Sequence, residues 1–128
     1  MKTLSIATLA VLAGFGLGAI AIEGLHAQAK PKAYTVAELE TVDATAQAGY
    51  VPAVLAAQRA AGGHPFNTGA GKIVAMDGLP APKRVAITEW DSLEQAEAFY
   101  KSKAWNELAP QRDKAQKTIR RYTVEATN

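Results

Sequence analysis

Residues 83–90, Lys-Arg-Val-Ala-Ile-Thr-Glu-Trp, alternate Val85, Ile87 and Glu89 with Arg84, Ala86, Thr88 and Trp90, and run directly into Asp91-Ser92. Period-two alternation marks a strand whose two faces meet different surroundings. Asp91 and Ser92, with Glu94 and Gln95 three residues after each, are the start signal of a helix whose apolar stripe is Leu93, Ala96, Phe99 and Tyr100. A strand that passes into a helix without a loop fixes the course of both, and the remaining elements have to be arranged around that junction.

Residues 33–40 alternate in the same way, Tyr34/Val36/Glu38/Glu40 against Ala33/Thr35/Ala37/Leu39, and predict the first strand. Asp43 is placed to cap an Ala-rich helix over residues 44–61, with Tyr50, Val54, Leu55 and Gln58 on one stripe. Pro52 lies inside that helix and either restarts it near Val51 or kinks it, because proline has no N–H and clashes with the preceding turn. Gly62 and Gly63 end it. Residues 72–76, behind Asn67, Gly69 and Gly71, predict a bulged edge strand, and Asp77-Gly78, Pro80 and Pro82 a turn. The second helix breaks near Ser102, a shorter helical piece over 103–114 carries Trp105 and Leu108, and residues 118–125 form the last strand.

The order βαββαβ is the split βαβ arrangement of ferredoxin-like α+β folds, a four-stranded antiparallel sheet with both helices on one face. The other face would put side chains such as Tyr34, Val36, Val85, Ile87 or Trp90 into water, depending on which alternating set points that way. A second copy laid on it would bury them and enclose a cavity between two sheets, so a homodimer is expected. Antiparallel pairing of the first and third strands would also let Glu38 or Glu40 meet Lys83 or Arg84.

Ahead of this domain, Lys2 precedes a block, residues 4–22, whose only polar interruptions are Ser5 and Thr8, and Ala27 and Ala29 follow at the spacing a signal peptidase requires. Cleavage after Ala29 is expected, giving residues 1–29 as a signal peptide and 30–128 as a periplasmic or secreted domain that no membrane holds. The competing reading is an uncleaved anchor, since 19 residues at ~1.5 Å rise span about 28 Å, near the ~30 Å of a bilayer core. Without residues 1–29 the chain keeps 13 basic against 11 acidic residues, a balance that offers no strong attraction for nucleic acid. The cluster Lys114, Lys117, Arg120 and Arg121 reads as a solvated helix end and the start of a strand.

The absence of cysteine removes disulfides, thiolate zinc sites, iron–sulfur clusters and Cys nucleophiles. Neither a metal site nor an organic cofactor is expected: after cleavage His64 is the sole histidine, and no second ligand stands at a useful spacing. Ser92 and Ser102, the two serines of the domain, fall at helix caps, which argues against a serine hydrolase. Asn67-Thr68-Gly69-Ala70-Gly71-Lys72 is glycine-rich but lacks the phosphate-loop pattern. The candidate catalytic groups are His64, able to titrate near neutrality, Glu89, whose pKa partial burial would raise, and Tyr34. Candidate ligand contacts are Tyr34, His64, Arg84, Glu89 and Trp90. Tyr100, Trp105 and Tyr122 join Tyr34 and Trp90 as aromatic groups able to line a pocket, with Phe99 and Trp105 read as core.

Lys32-Ala33-Tyr34, Ala61-Gly62-Gly63-His64, residues 82–93 and Phe99-Tyr100-Lys101-Ser102-Lys103-Ala104-Trp105 together resemble the bacterial family catalogued as domain of unknown function 1330. The resemblance covers residues 32–126. It implies the dimeric α/β-barrel superfamily, which includes cofactor-independent monooxygenases, isomerase-like enzymes and plain ligand-binding modules. The family pattern usually places Arg directly after the paired glycines, where this chain has His64, so the role of that Arg is not carried over. Three functions follow: an exported homodimer binding a small, partly apolar molecule; a cofactor-independent monooxygenase or isomerase moving a proton through His64, Glu89 or Tyr34; and a module whose sheet face pairs with another protein.

Overall fold

The computed structural model describes residues 30–128, and the expected export signal lies outside the described residues. Strand β1 (Ala33–Thr41) is followed by helix α1 (Ala44–Ala60), a two-residue strand β2 (His64–Pro65), strand β3 (Arg84–Trp90), helices α2 (Leu93–Tyr100), α3 (Lys103–Glu107) and α4 (Ala109–Ala115), and strand β4 (Gln116–Glu125). The sheet is antiparallel in the order β2-β3-β1-β4. This is the expected ferredoxin-like α+β fold, with β1 as a central strand between β3 and β4.

The alternation of β1 becomes burial. Ala33, Thr35, Ala37 and Leu39 are at most 3% exposed on the face that meets the helices, whereas Tyr34, Val36, Glu38 and Glu40 are half-buried on the outer face. Pairing of Ala33 with Trp90 and Thr35 with Thr88 carries that division onto β3. Trp90 therefore joins Ala33, Ala96, Phe99 and Trp105 in the core, its ring 5.2 Å from that of Phe99, and its indole N–H donates to Thr35 Oγ1 at 3.1 Å. The side chains of Asp43, Ser92 and Ser102 each accept from a backbone N–H in the first turn of α1, α2 and α3, as the capping pattern requires.

Gly62, at φ +88, supplies the left-handed residue that ends α1. Gly63 is required for want of space instead, since a Cβ there would lie 2.9 Å from two ring carbons of Trp90 and 3.1 Å from the Gln58 carbonyl oxygen. Gly63→Ala is expected to destabilise the domain by about 1–3 kcal/mol through overpacking, read from the urea midpoint.

Five expectations are corrected. Residues 72–76 form no strand: the edge strand is His64–Pro65, and the chain leaves it at Phe66, whose N–H reaches the Ile87 carbonyl at 2.8 Å, to enter a glycine- and proline-interrupted loop. Trp90 points to the helices and is fully buried, so it is not among the outer-face side chains. Glu38 pairs with Arg120, its cross-strand partner on β4, rather than with Lys83 or Arg84, because Arg84 stands on the opposite face. The helical piece after Ser102 is two helices divided at Leu108, where Pro110 in the first turn of α4 cannot continue the earlier hydrogen bonding. Helix α1, by contrast, runs unbroken through Pro52, which is exposed.

Candidate functional site

A cavity of about 520 Å³ opens between α1 and the helix-facing side of the sheet. Its origin is a register effect. Ala37 of β1 lies opposite Ala86 of β3, so two methyl groups occupy the floor where larger side chains would reach α1. The buried Tyr50 and Gln58, with Val51, Val54 and Leu55, form the roof, and residues 66–70 rim the mouth beside the sheet edge. Tyr100 and Trp105 close the inner end.

Polar and apolar groups share the lining, three arginines and three glutamines among them. Gln47 donates to Gln116 at 3.1 Å, both side chains being buried; with the Gln47 amide turned over, its nitrogen donates to the Ala115 carbonyl at 3.2 Å and to Gln116 Oε1 at 3.3 Å, and its oxygen accepts from Arg84 Nη1 at 3.3 Å. Arg84 Nε is buried without a hydrogen-bond partner. Arg121, across Ala37 on β4, lays its guanidinium 4.7 Å from the Trp105 ring centroid and 5.8 Å from that of Tyr100. Burial pushes the Tyr50 and Tyr100 phenols up and the Arg121 guanidinium down, each disfavouring the charged form. The lining holds Arg59, Arg84 and Arg121 and, among the described residues, no Asp, Glu or His.

The sequence-derived candidates divide between the two sheet faces. Tyr34, His64 and Glu89 meet on the outer face: Tyr34 Oη donates to Glu89 Oε2 at 3.1 Å, Lys32 Nζ pairs with Glu89 Oε1 at 2.8 Å, and His64 is the cross-strand partner of Glu89. Arg84 and Trp90 lie on the helix side, Arg84 lining the cavity and Trp90 in the core. The expected upward shift of Glu89 is reversed. The Lys32 hydrogen bond, joined by that from Tyr34, holds its carboxyl below the ordinary 4.5 despite some desolvation.

The same bond raises Lys32 above its ordinary 10.5. A lowered carboxyl contributes stability that is complete above its unfolded value and lost as pH falls through the folded one; a raised amine contributes below its unfolded value and loses it as pH rises through the folded one. The difference in melting temperature between wild type and Glu89→Gln is therefore expected to be flat from about pH 5 to about pH 10 and to shrink on both sides, as thermal melts across pH would show. Both side chains are solvent-accessible, so the effect is small.

Pattern along the chain does not single out Gln47 or Arg121. Gln47 lies on the same helix stripe as Tyr50 and Gln58, a polar interruption that marks a wet or ligand-facing interior. Arg121 stands in sequence among solvated basic neighbours, yet its phase with Thr123 on β4 places it on the helix side.

A family model described as "Domain of unknown function (DUF1330)" matches residues 32–126. No curated protein matches the chain. Among solved structures, the crystal structure of a protein of unknown function from Rhodopseudomonas palustris superposes with a TM-score of 0.59 at 13% identity, covering 84% of this chain and 92% of that one. At that identity the likeness speaks for the shared fold.

Proposed function

The chain belongs to the domain of unknown function (DUF1330) family, and from that premise we propose that it is an exported domain that binds a small, partly apolar molecule within each protomer, beneath α1. The observation that carries this reading is the cavity of about 520 Å³, within the ~300–1,000 Å³ usual for small-molecule sites, where aliphatic and aromatic side chains are interspersed with arginine, glutamine and threonine. Its position differs from the expectation of a chamber between two sheets: it lies on the opposite side of the sheet and needs one copy only. The absence of carboxylate and imidazole from the described lining favours binding over proton transfer, and Glu89, held ionised at the surface by Lys32, is a weak base.

Two further parts belong to the proposal. The N-terminal block addresses the domain to the periplasm or beyond, with removal after Ala29. The outer sheet face pairs with that of a second copy: Tyr122 and Val124 are 47% and 52% exposed there, beside Val36, Val85 and Ile87, and Ile73 and Val74 of the long loop share a groove with Val85 and Ile87.

The neutral apolar dye N-phenyl-1-naphthylamine tests the cavity. Its fluorescence is expected to rise saturably on wild type and to show roughly tenfold or more weaker binding on Ala37→Leu/Ala86→Leu, which fills the floor. Equal binding by the folded double variant would overturn the reading.

A further inference from the structure

We propose that the molecule held beneath α1 is a monocarboxylate with an apolar body, its carboxylate received by Arg84 and Arg121. This deepens the binding reading above and rests on it.

Strand register brings the two arginines together. Leu39 pairs with Arg84 on β3, and Ala37 with Arg121 on β4, so they flank β1 on the same face of the sheet. Two strand spacings separate them laterally, roughly 10 Å, and the β1 side chains between them on this face are Leu39, opposite Arg84, and Ala37, opposite Arg121. Both side chains line the one cavity.

A cation withdrawn from water is costly unless a counter-charge or a full set of acceptors replaces the solvent. Among the described residues neither guanidinium has a carboxylate partner: the ion pairs involve Lys32, Lys101, Lys103 and Arg120. Arg84 obtains at most the Gln47 amide oxygen, and its Nε obtains nothing. Arg121 rests on the rings of Trp105 and Tyr100, which stabilise its charge without accepting its N–H groups in the plane. The loop at the mouth packs against Arg84: a Cβ at Gly69 would stand 2.7 Å from its Nη2, so glycine leaves room for the guanidinium.

Planar guanidinium donors match a carboxylate in two parallel hydrogen bonds. The remaining walls, Leu39, Val51, Val54, Leu55 and Phe66 among them, suit a hydrocarbon or aryl tail. A monoanion fits this surface better than a phosphate dianion, whose desolvation is greater.

Displacement of N-phenyl-1-naphthylamine by octanoate and 4-phenylbutanoate, each against its neutral amide, decides the matter. The acids are expected to displace the dye roughly tenfold or more better than the amides, and that ratio should fall toward one in Arg84→Gln and Arg121→Gln, whose dye binding reports an intact cavity. Arg84→Lys should restore part of it. Equal displacement by acid and amide would overturn the carboxylate assignment while leaving the cavity reading standing, and so would stronger displacement by octyl phosphate than by octanoate. Failure of the dye to bind wild type would count against the cavity reading itself; the melting temperature with and without each acid and amide then decides the carboxylate claim directly, a rise with the acids alone supporting it and no difference overturning it.

Discussion

Trp90→Ala is expected to lower the unfolding free energy by about 3–5 kcal/mol, the range for removing a large aromatic from a closed core. Nothing of Trp90 is exposed; its ring touches those of Phe99 and Tyr100 at centroid distances of 5.2 and 6.1 Å, and Gly63 lies against its edge. Truncation leaves a space that these neighbours cannot fill, because Gly63 has no side chain and α2 is anchored by the Ser92 cap. It also removes the indole donor from Thr35 Oγ1, which keeps Thr123 as partner at 2.7 Å. A domain of this size has in total about 5–15 kcal/mol, so the variant is expected to be largely unfolded at modest urea. Trp90→Phe retains most of the apolar contact and should recover more than half the loss, which equilibrium urea unfolding of the three proteins would show.

Ile87→Asp is expected to abolish self-association while leaving the fold in place, though Ile87 also borders the cavity. Ile87 stands mid-strand on the outer face, with Val36 and then Tyr122 beside it across the sheet. A carboxylate there would be withdrawn from water in each copy of a face-to-face pair, and symmetry would set two such charges close together. Sedimentation velocity at micromolar concentration should give a dimer for wild type and a monomer for the variant, a weakening of roughly a hundredfold or more. In a lone protomer Ile87 is only part-exposed, so the melting temperature extrapolated to low concentration should fall modestly while the circular dichroism of a folded domain persists. A monomeric wild type would remove the pairing proposal and leave the cavity beneath α1 untouched.

Much of the fold is legible in the sequence because it depends on local pattern. The alternation of β1 and β3, the caps at Asp43, Ser92 and Ser102, and the core placement of Phe99 and Trp105 each follow from spacing along the chain. What escapes depends on how strands meet. Whether Trp90 or Glu89 faces the helices is decided by the pairing of β3 with β1, and alternation alone leaves both choices open. The cavity likewise arises because Ala37 and Ala86 fall opposite one another, a coincidence of register invisible within either strand. Residues 72–76 carry strand-forming side chains, yet the chain leaves the sheet at Phe66 and glycines at 69 and 71 offer no continuous ladder. Arg84 is legible as a candidate ligand contact, but its counterpart Arg121 belongs to a cluster of basic residues that reads as solvated until β4 is paired with β1.

Native mass spectrometry of the protein purified from its own host tests the central claim most directly. The account predicts that each protomer begins at Lys30 and carries one small molecule, released on denaturation and absent from Ala37→Leu/Ala86→Leu prepared in the same way. Bare protomers in the wild-type preparation, or the same adduct retained by the folded double variant, would contradict it.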